Sequence, residues 1–97
     1  MAGRGVITEK IKKISVAFLG REITIQELRL YPYIQYTLMN GKMIDRQKVN
    51  SGEHAVIGTL ESEGHLRFVN SQLHITEEFW NYMNKVLFQA YVEYETL

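Results

Sequence analysis

Apolar side chains recur along this chain with two different periods. Ile7, Ile11, Ile14 and Phe18 stand at spacings of four, three and four, the repeat of one face of an α-helix. Thr8 is placed to cap that helix and Gly20 to end it. The segment from Arg21 to Leu28 opens with a short β-prone piece, then sets Thr24 three residues before Glu27. That spacing is a capping box, and it predicts a second helix. Pro32 removes a helical N–H and disfavours helix at Tyr31, so a kink or restart is predicted before Tyr33–Met39.

The middle of the chain supports two readings. Tyr33 to Leu38 is β-prone, and Asn40-Gly41 between apolar runs is a strong hairpin signal. From Asp45 to Glu63, however, Val49, Val56 and Leu60 fall at helical spacing with Gly64 ready to terminate a helix. Gly52 and Gly58 oppose that helix, each by up to about 1 kcal/mol.

The last third is sharper. Leu66-Arg67-Phe68-Val69 and Gln72-Leu73-His74-Ile75 alternate apolar and polar positions around Asn70-Ser71, which predicts a compact hairpin. Leu60 and Leu66 then flank a tight turn at Gly64 as core positions, and Glu63 is expected on the surface. Thr76 caps a final helix running to about Tyr94, with Glu77 and Glu78 at its electropositive start. Phe79, Met83, Val86 and Ala90 form one apolar stripe, and Trp80, Leu87, Tyr91 and Tyr94 form a second beside it. A small core can hardly cover both, so Phe79, Trp80, Met83, Leu87 and Tyr91 are expected to form a homodimer interface.

Length and composition narrow the classes. The chain has 97 residues, enough for one domain and too few for a multi-domain enzyme. Residues 1–6 are expected to be disordered, 7–75 to form the core and 76–97 the terminal helix. Hydrophobic residues at 45% and charged residues at 23% are an ordinary globular balance. There is no Cys, which removes disulfides, thiolate zinc sites and Cys nucleophiles. No apolar run approaches a membrane span or a signal peptide, and a cytoplasmic protein without membrane contact is expected.

Candidate chemistry is sparse. Gly3-Arg4-Gly5 precedes no strand-to-helix turn and makes no phosphate loop. His54, His65 and His74 match no metal-ligand spacing on one helix, and Asp45 is the only Asp available to orient a catalytic imidazole. No enzyme activity, cofactor or metal is expected. Tyr31, Tyr33 and Tyr36 are assigned to core and cover rather than to base stacking. The zero net charge conceals a split: residues 1–48 hold nine basic and four acidic side chains, a balance of +5, and residues 49–97 hold two and seven, a balance of −5. A basic half is the footprint of a surface that meets phosphates or an acidic partner.

Three segments carry a resemblance. Ile23-Thr24-Ile25-Gln26-Glu27-Leu28 looks like the entry to the second helix of the winged helix-turn-helix family. Leu60-Glu61-Ser62-Glu63-Gly64-His65-Leu66 looks like the end of its recognition helix and the turn into the wing, and Leu73-His74-Ile75-Thr76-Glu77 like the last wing strand and next cap. As an order of elements the resemblance spans about residues 7 to 90. It implies a small α+β winged-helix domain with an N-terminal helix, a short β-hairpin wing and a long C-terminal helix. It also implies a regulator of transcription that binds double-stranded DNA as a homodimer. Arg46 and Lys48 would open the recognition helix, with Lys42, Lys10, Lys12, Lys13 and Arg67 on flanking phosphates. A competing fold pairs Tyr33–Met39 with Lys42–Lys48 and Ala55–Leu60 with His65–Val69, an antiparallel β-meander flanked by two helices. The competing function is a non-catalytic module that docks a protein partner.

Overall fold

The computed structural model describes residues 6–41 and 49–92. Helix α1, Glu9–Leu19, starts where the Thr8 side chain accepts the Ile11 N–H at 3.3 Å. It ends at Gly20, whose left-handed φ of 78° lets its N–H donate to the Val16 carbonyl at 3.0 Å. The β-prone piece that follows makes no strand. Ile23 is buried there instead, and its N–H donates to the Ser15 hydroxyl at 3.3 Å.

Helix α2, Ile25–Asn40, begins on the Thr24 cap and continues through Pro32 without a restart. Pro32 withholds one N–H from the Leu28 carbonyl, but Tyr31 and Ile34 on either side are fully buried and fix both halves against one core. Tertiary packing therefore overrides the local break, and Tyr33–Met39 is helical rather than a hairpin strand.

Helix α3, Ser51–Ser62, starts later than the expected Asp45 because Asn50 caps it. The Asn50 side chain accepts the Glu53 N–H at 2.8 Å, and the Glu53 carboxylate accepts the Asn50 N–H at 3.1 Å. Ala55–Leu60 is thus helical, which with α2 overturns the β-meander. At the end of α3 the Gly64 N–H reaches the Glu61 carbonyl at 3.1 Å and the His65 N–H reaches the Leu60 carbonyl at 3.0 Å. Gly64 takes φ 83° to allow this Schellman arrangement.

Strands β1, Leu66–Val69, and β2, Gln72–Ile75, pair antiparallel with Leu66 opposite Ile75 and Val69 opposite Gln72. Asn70 and Ser71 join them with φ of 51° and 67°, the signature of a type I′ turn whose twist matches the strands. Helix α4, Glu77–Leu87, begins on Thr76 and passes into a π-helical turn, Phe88–Val92, instead of continuing as α-helix to Tyr94. The expected disorder of 1–6 falls, apart from Val6, outside the described residues, as do Lys42–Lys48 and 93–97.

The result is an α+β architecture of helices around one core with a two-stranded hairpin. Helix α4 is its axis: α1 packs on one flank and α2 on the other, while α3 packs on α2 and β1. This layout corrects the expected dimer interface. Phe79 and Met83 are fully buried and Leu87 nearly so within a single chain, because α1 and α2 both pack on α4. Only Trp80 and Tyr91 of that set remain half-buried. Among the described residues no helix is long and apolar enough to cross a membrane.

Leu60 is fully buried beside the Gly64 turn, so Leu60→Ala is expected to cost about 2 to 5 kcal/mol in urea denaturation. Gly64→Val is expected to destabilise as well, since its φ of 83° is unfavourable for a β-branched residue.

Candidate functional site

A carboxylate taken out of water is costly unless it is paired, and Glu27 is only 1% exposed. Three elements converge to satisfy it. Arg21, in the α1–α2 junction, donates from Nη1 to Glu27 Oε1 at 2.9 Å. One turn along α2, the Tyr31 hydroxyl donates to Glu27 Oε2 at 2.5 Å. Having spent its only proton there, Tyr31 accepts from the Tyr82 hydroxyl of α4 at 3.1 Å. Arg21 also grips Glu63, at the end of α3, through Nε and Nη2 at 3.0 Å each, a bidentate fork. Glu63 is at the surface, as expected from sequence, but it is half of an ion pair.

The electrostatics follow from this geometry. The hydrogen bonds that Arg21 donates to Glu63 and then to Glu27 hold its guanidinium above its ordinary value. Burial pushes the Tyr31 phenol up, and the Glu27 charge pushes it further. Burial likewise raises Tyr82. Aromatic rings seal the cluster: Phe18 stacks on Tyr82 with centroids 4.6 Å apart, and His65 stacks on Phe79 at 5.5 Å. Its chemistry is that of a clamp, with one guanidinium shared between two carboxylates and each phenol held protonated. Sequence reasoning misses it because the Thr24–Glu27 spacing assigns Glu27 to capping. Thr24 does accept the Glu27 N–H at 3.1 Å, but the carboxylate turns inward. The visible signal is the Glu27–Tyr31 pair one turn apart.

The described candidate DNA contacts fall on two elements, α1 and β1. Lys10 and Lys13 are exposed on α1, while Lys12 pairs with Glu9 at 3.3 Å. Lys13 lies across a groove from Lys85 of α4, not beside α3, so the structure does not assemble the expected lysine cluster with a recognition helix. Arg67 is exposed on β1. Lys42, Arg46 and Lys48 precede α3 and lie outside the described residues, so the expected helix start at Arg46 and Lys48 is replaced by Asn50-Ser51. Helix α3 itself has no Lys or Arg. Its exposed Ser51, Ala55, Gly58 and Ser62 recur at spacings of four, three and four, giving one smooth face of small side chains. Among the described residues no group of three His, Asp or Glu side chains is placed to share a metal ion.

Comparisons with protein-family models, with curated proteins and with solved structures found no match to this chain.

Removing Arg21 leaves Glu27 buried without its cation, so Arg21→Met is expected to cost about 3 to 5 kcal/mol in chemical denaturation. The raised phenols give an alkaline signature. In the unfolded chain Tyr31 and Tyr82 lose protons near the ordinary value of 10.0, whereas the folded chain retains them above it. Stability from these groups is full below that pH and falls as pH rises beyond it. Ultraviolet difference titration should show the two phenolates forming only as near-ultraviolet circular dichroism disappears.

Proposed function

We propose that this chain is a winged-helix DNA-binding module that serves as a transcriptional regulator. One observation carries the reading: α3 is clamped to α2 through Arg21 and Glu63, leads through a Schellman turn into a twisted hairpin, and keeps its small-residue face exposed. A helix held rigidly by its inner side, with Ala55 and Gly58 outward, can approach a DNA groove closely, and an adjacent hairpin can meet the backbone. Arg67 on the hairpin and Lys42, Arg46 and Lys48 ahead of α3 supply the phosphate contacts in this reading. Lys10, Lys12 and Lys13 do not.

A homodimer would double those contacts. Phe88 and Val92, 43% and 68% exposed, flank a groove with Pro32 and Gln35 of α2, and this face takes the place of the buried stripe. Phe88→Glu combined with Val92→Glu should then convert a sedimenting dimer to a monomer without lowering stability.

The competing reading, a protein-docking module, is favoured by Glu53 and Glu61 on a helix that bears no Lys or Arg. Salt dependence separates the two. In anisotropy titrations on a generic duplex at about 50 mM salt, the parent is expected to bind with an affinity that falls steeply as salt rises. Arg46→Ala with Lys48→Ala should weaken that binding and flatten the log–log slope by about 0.9 for each phosphate the variant leaves unneutralised. No binding by the parent at about 100 μM, the weak end of non-specific association, would replace the regulator reading with the docking module.

A further inference from the structure

The two flanks of α4 carry different surfaces, and the one facing α1 is not used by the DNA reading. Between α1 and α4 runs an open groove whose floor is apolar: Ile14, Ala17 and Phe18 come from one wall, and the Tyr82 ring from the other. Lys13 stands on the α1 rim and Lys85 on the α4 rim. Neither has an ion-pair partner among the described residues, in contrast to Lys12, which Glu9 engages. Glu78 also borders the groove, but it lies seven residues, or about 10 Å of helix axis, from Lys85 and cannot neutralise that end. Lys10 extends the cationic end by one turn of α1.

We propose that this groove docks an acidic amphipathic segment of a partner protein, its apolar side chains on Ile14 and Phe18 and its carboxylates bridging Lys13 and Lys85. Charge complementarity selects this occupant. Two unmatched cations on opposite rims of an apolar floor fit a helix or strand with carboxylates flanking a branched apolar face. A nucleic acid would leave the floor uncovered. A bilayer needs an apolar surface that protrudes, whereas these side chains lie recessed between two helices: Tyr82 is buried and Ile14 and Phe18 half-buried. The groove is separate from α3 and the hairpin, so a DNA-bound regulator could carry its partner at the same time.

The test uses the full chain, labelled with nitrogen-15, and a short synthetic peptide with Leu along one helical face and Glu elsewhere. The control is its counterpart with Lys in place of Glu. The acidic peptide is expected to shift amide resonances of residues 13–18 and 78–85 in a saturable way, and the basic peptide is not. Lys13→Glu with Lys85→Glu should weaken acidic-peptide binding by at least about tenfold. Ala17→Trp, which fills the exposed floor while keeping both lysines, should abolish it. No shift at about 1 mM peptide, shifts confined to α3 and the hairpin, or equal binding of the basic peptide would each overturn the proposal. So would groove resonances that move with protein concentration alone, since the occupant would then be a second copy of this chain. The charge-reversal variant should bind duplex DNA as the parent does, which keeps failure of this proposal distinct from failure of the regulator reading.

Discussion

One buried carboxylate organises this molecule. Glu27 sits at the third position of α2, where a dry charge is tolerable only with donors on both oxygens. Arg21 and Tyr31 provide them, and each brings a neighbour: Arg21 reaches Glu63 of the α3 terminus, and Tyr31 accepts from Tyr82 of α4. Four segments distant in sequence are thereby held to one geometry. Hydrophobic burial supplies the larger share of the stabilisation, but apolar contacts are non-directional and would tolerate small slips of α3 against α2. A bidentate guanidinium fork does not. The exposed face of α3 therefore has a fixed aim relative to α2 and α4.

The same logic explains why the terminal helix looks oversupplied with apolar residues. Phe79, Met83 and Val86 are fully buried because α1 and α2 embrace α4 from two sides. A helix covered on both flanks needs a wide apolar arc, and a stripe pattern taken on one helix alone assumes a single neighbour. The surplus that stays exposed comes one turn later, in the π-helical turn, where the wider winding swings Phe88 and Val92 outward. π-turns recur at functional sites for this reason: they offset side chains from the helical stripe.

Much of the fold was legible in the sequence, and the failures have physical causes. Caps decided the successes: Thr8, Thr24, Thr76, Gly20 and Gly64 stand where the pattern put them, since a cap is a local exchange between a side chain and nearby backbone. The Asn70-Ser71 turn was legible for the same reason. At Pro32 the local rule lost to Tyr31 and Ile34, whose burial outweighs one missing hydrogen bond. The α3 start was misplaced because the helical pattern of Val49, Val56 and Leu60 was carried back to Asp45, whereas the Asn50–Glu53 capping box sets the start at Ser51. Most opaque was the clamp: Arg21 and Glu63 are 42 residues apart, and no periodicity announces a pair that only tertiary structure brings together. The placement of Lys13 beside Lys85 of α4 was hidden likewise.

The charge split between the two halves takes on a different meaning in three dimensions. A balance of +5 against −5 invites the picture of one basic face, yet the halves are interleaved. Arg21 of the first half is consumed by Glu63 of the second, and Lys12 is engaged by its helical neighbour Glu9. Lys13 of the first half shares a groove with Lys85 of the second. What the described residues leave near α3 is Arg67 on the hairpin, while α3 itself carries two glutamates and no Lys or Arg. Such a helix gains little from phosphates along its length and is repelled by them wherever its carboxylates come near. In the proposed DNA reading, affinity has to come from basic residues outside α3 and discrimination from the shape of its small-residue face. Sequence-independent association in that reading scales with how many phosphates those basic residues neutralise.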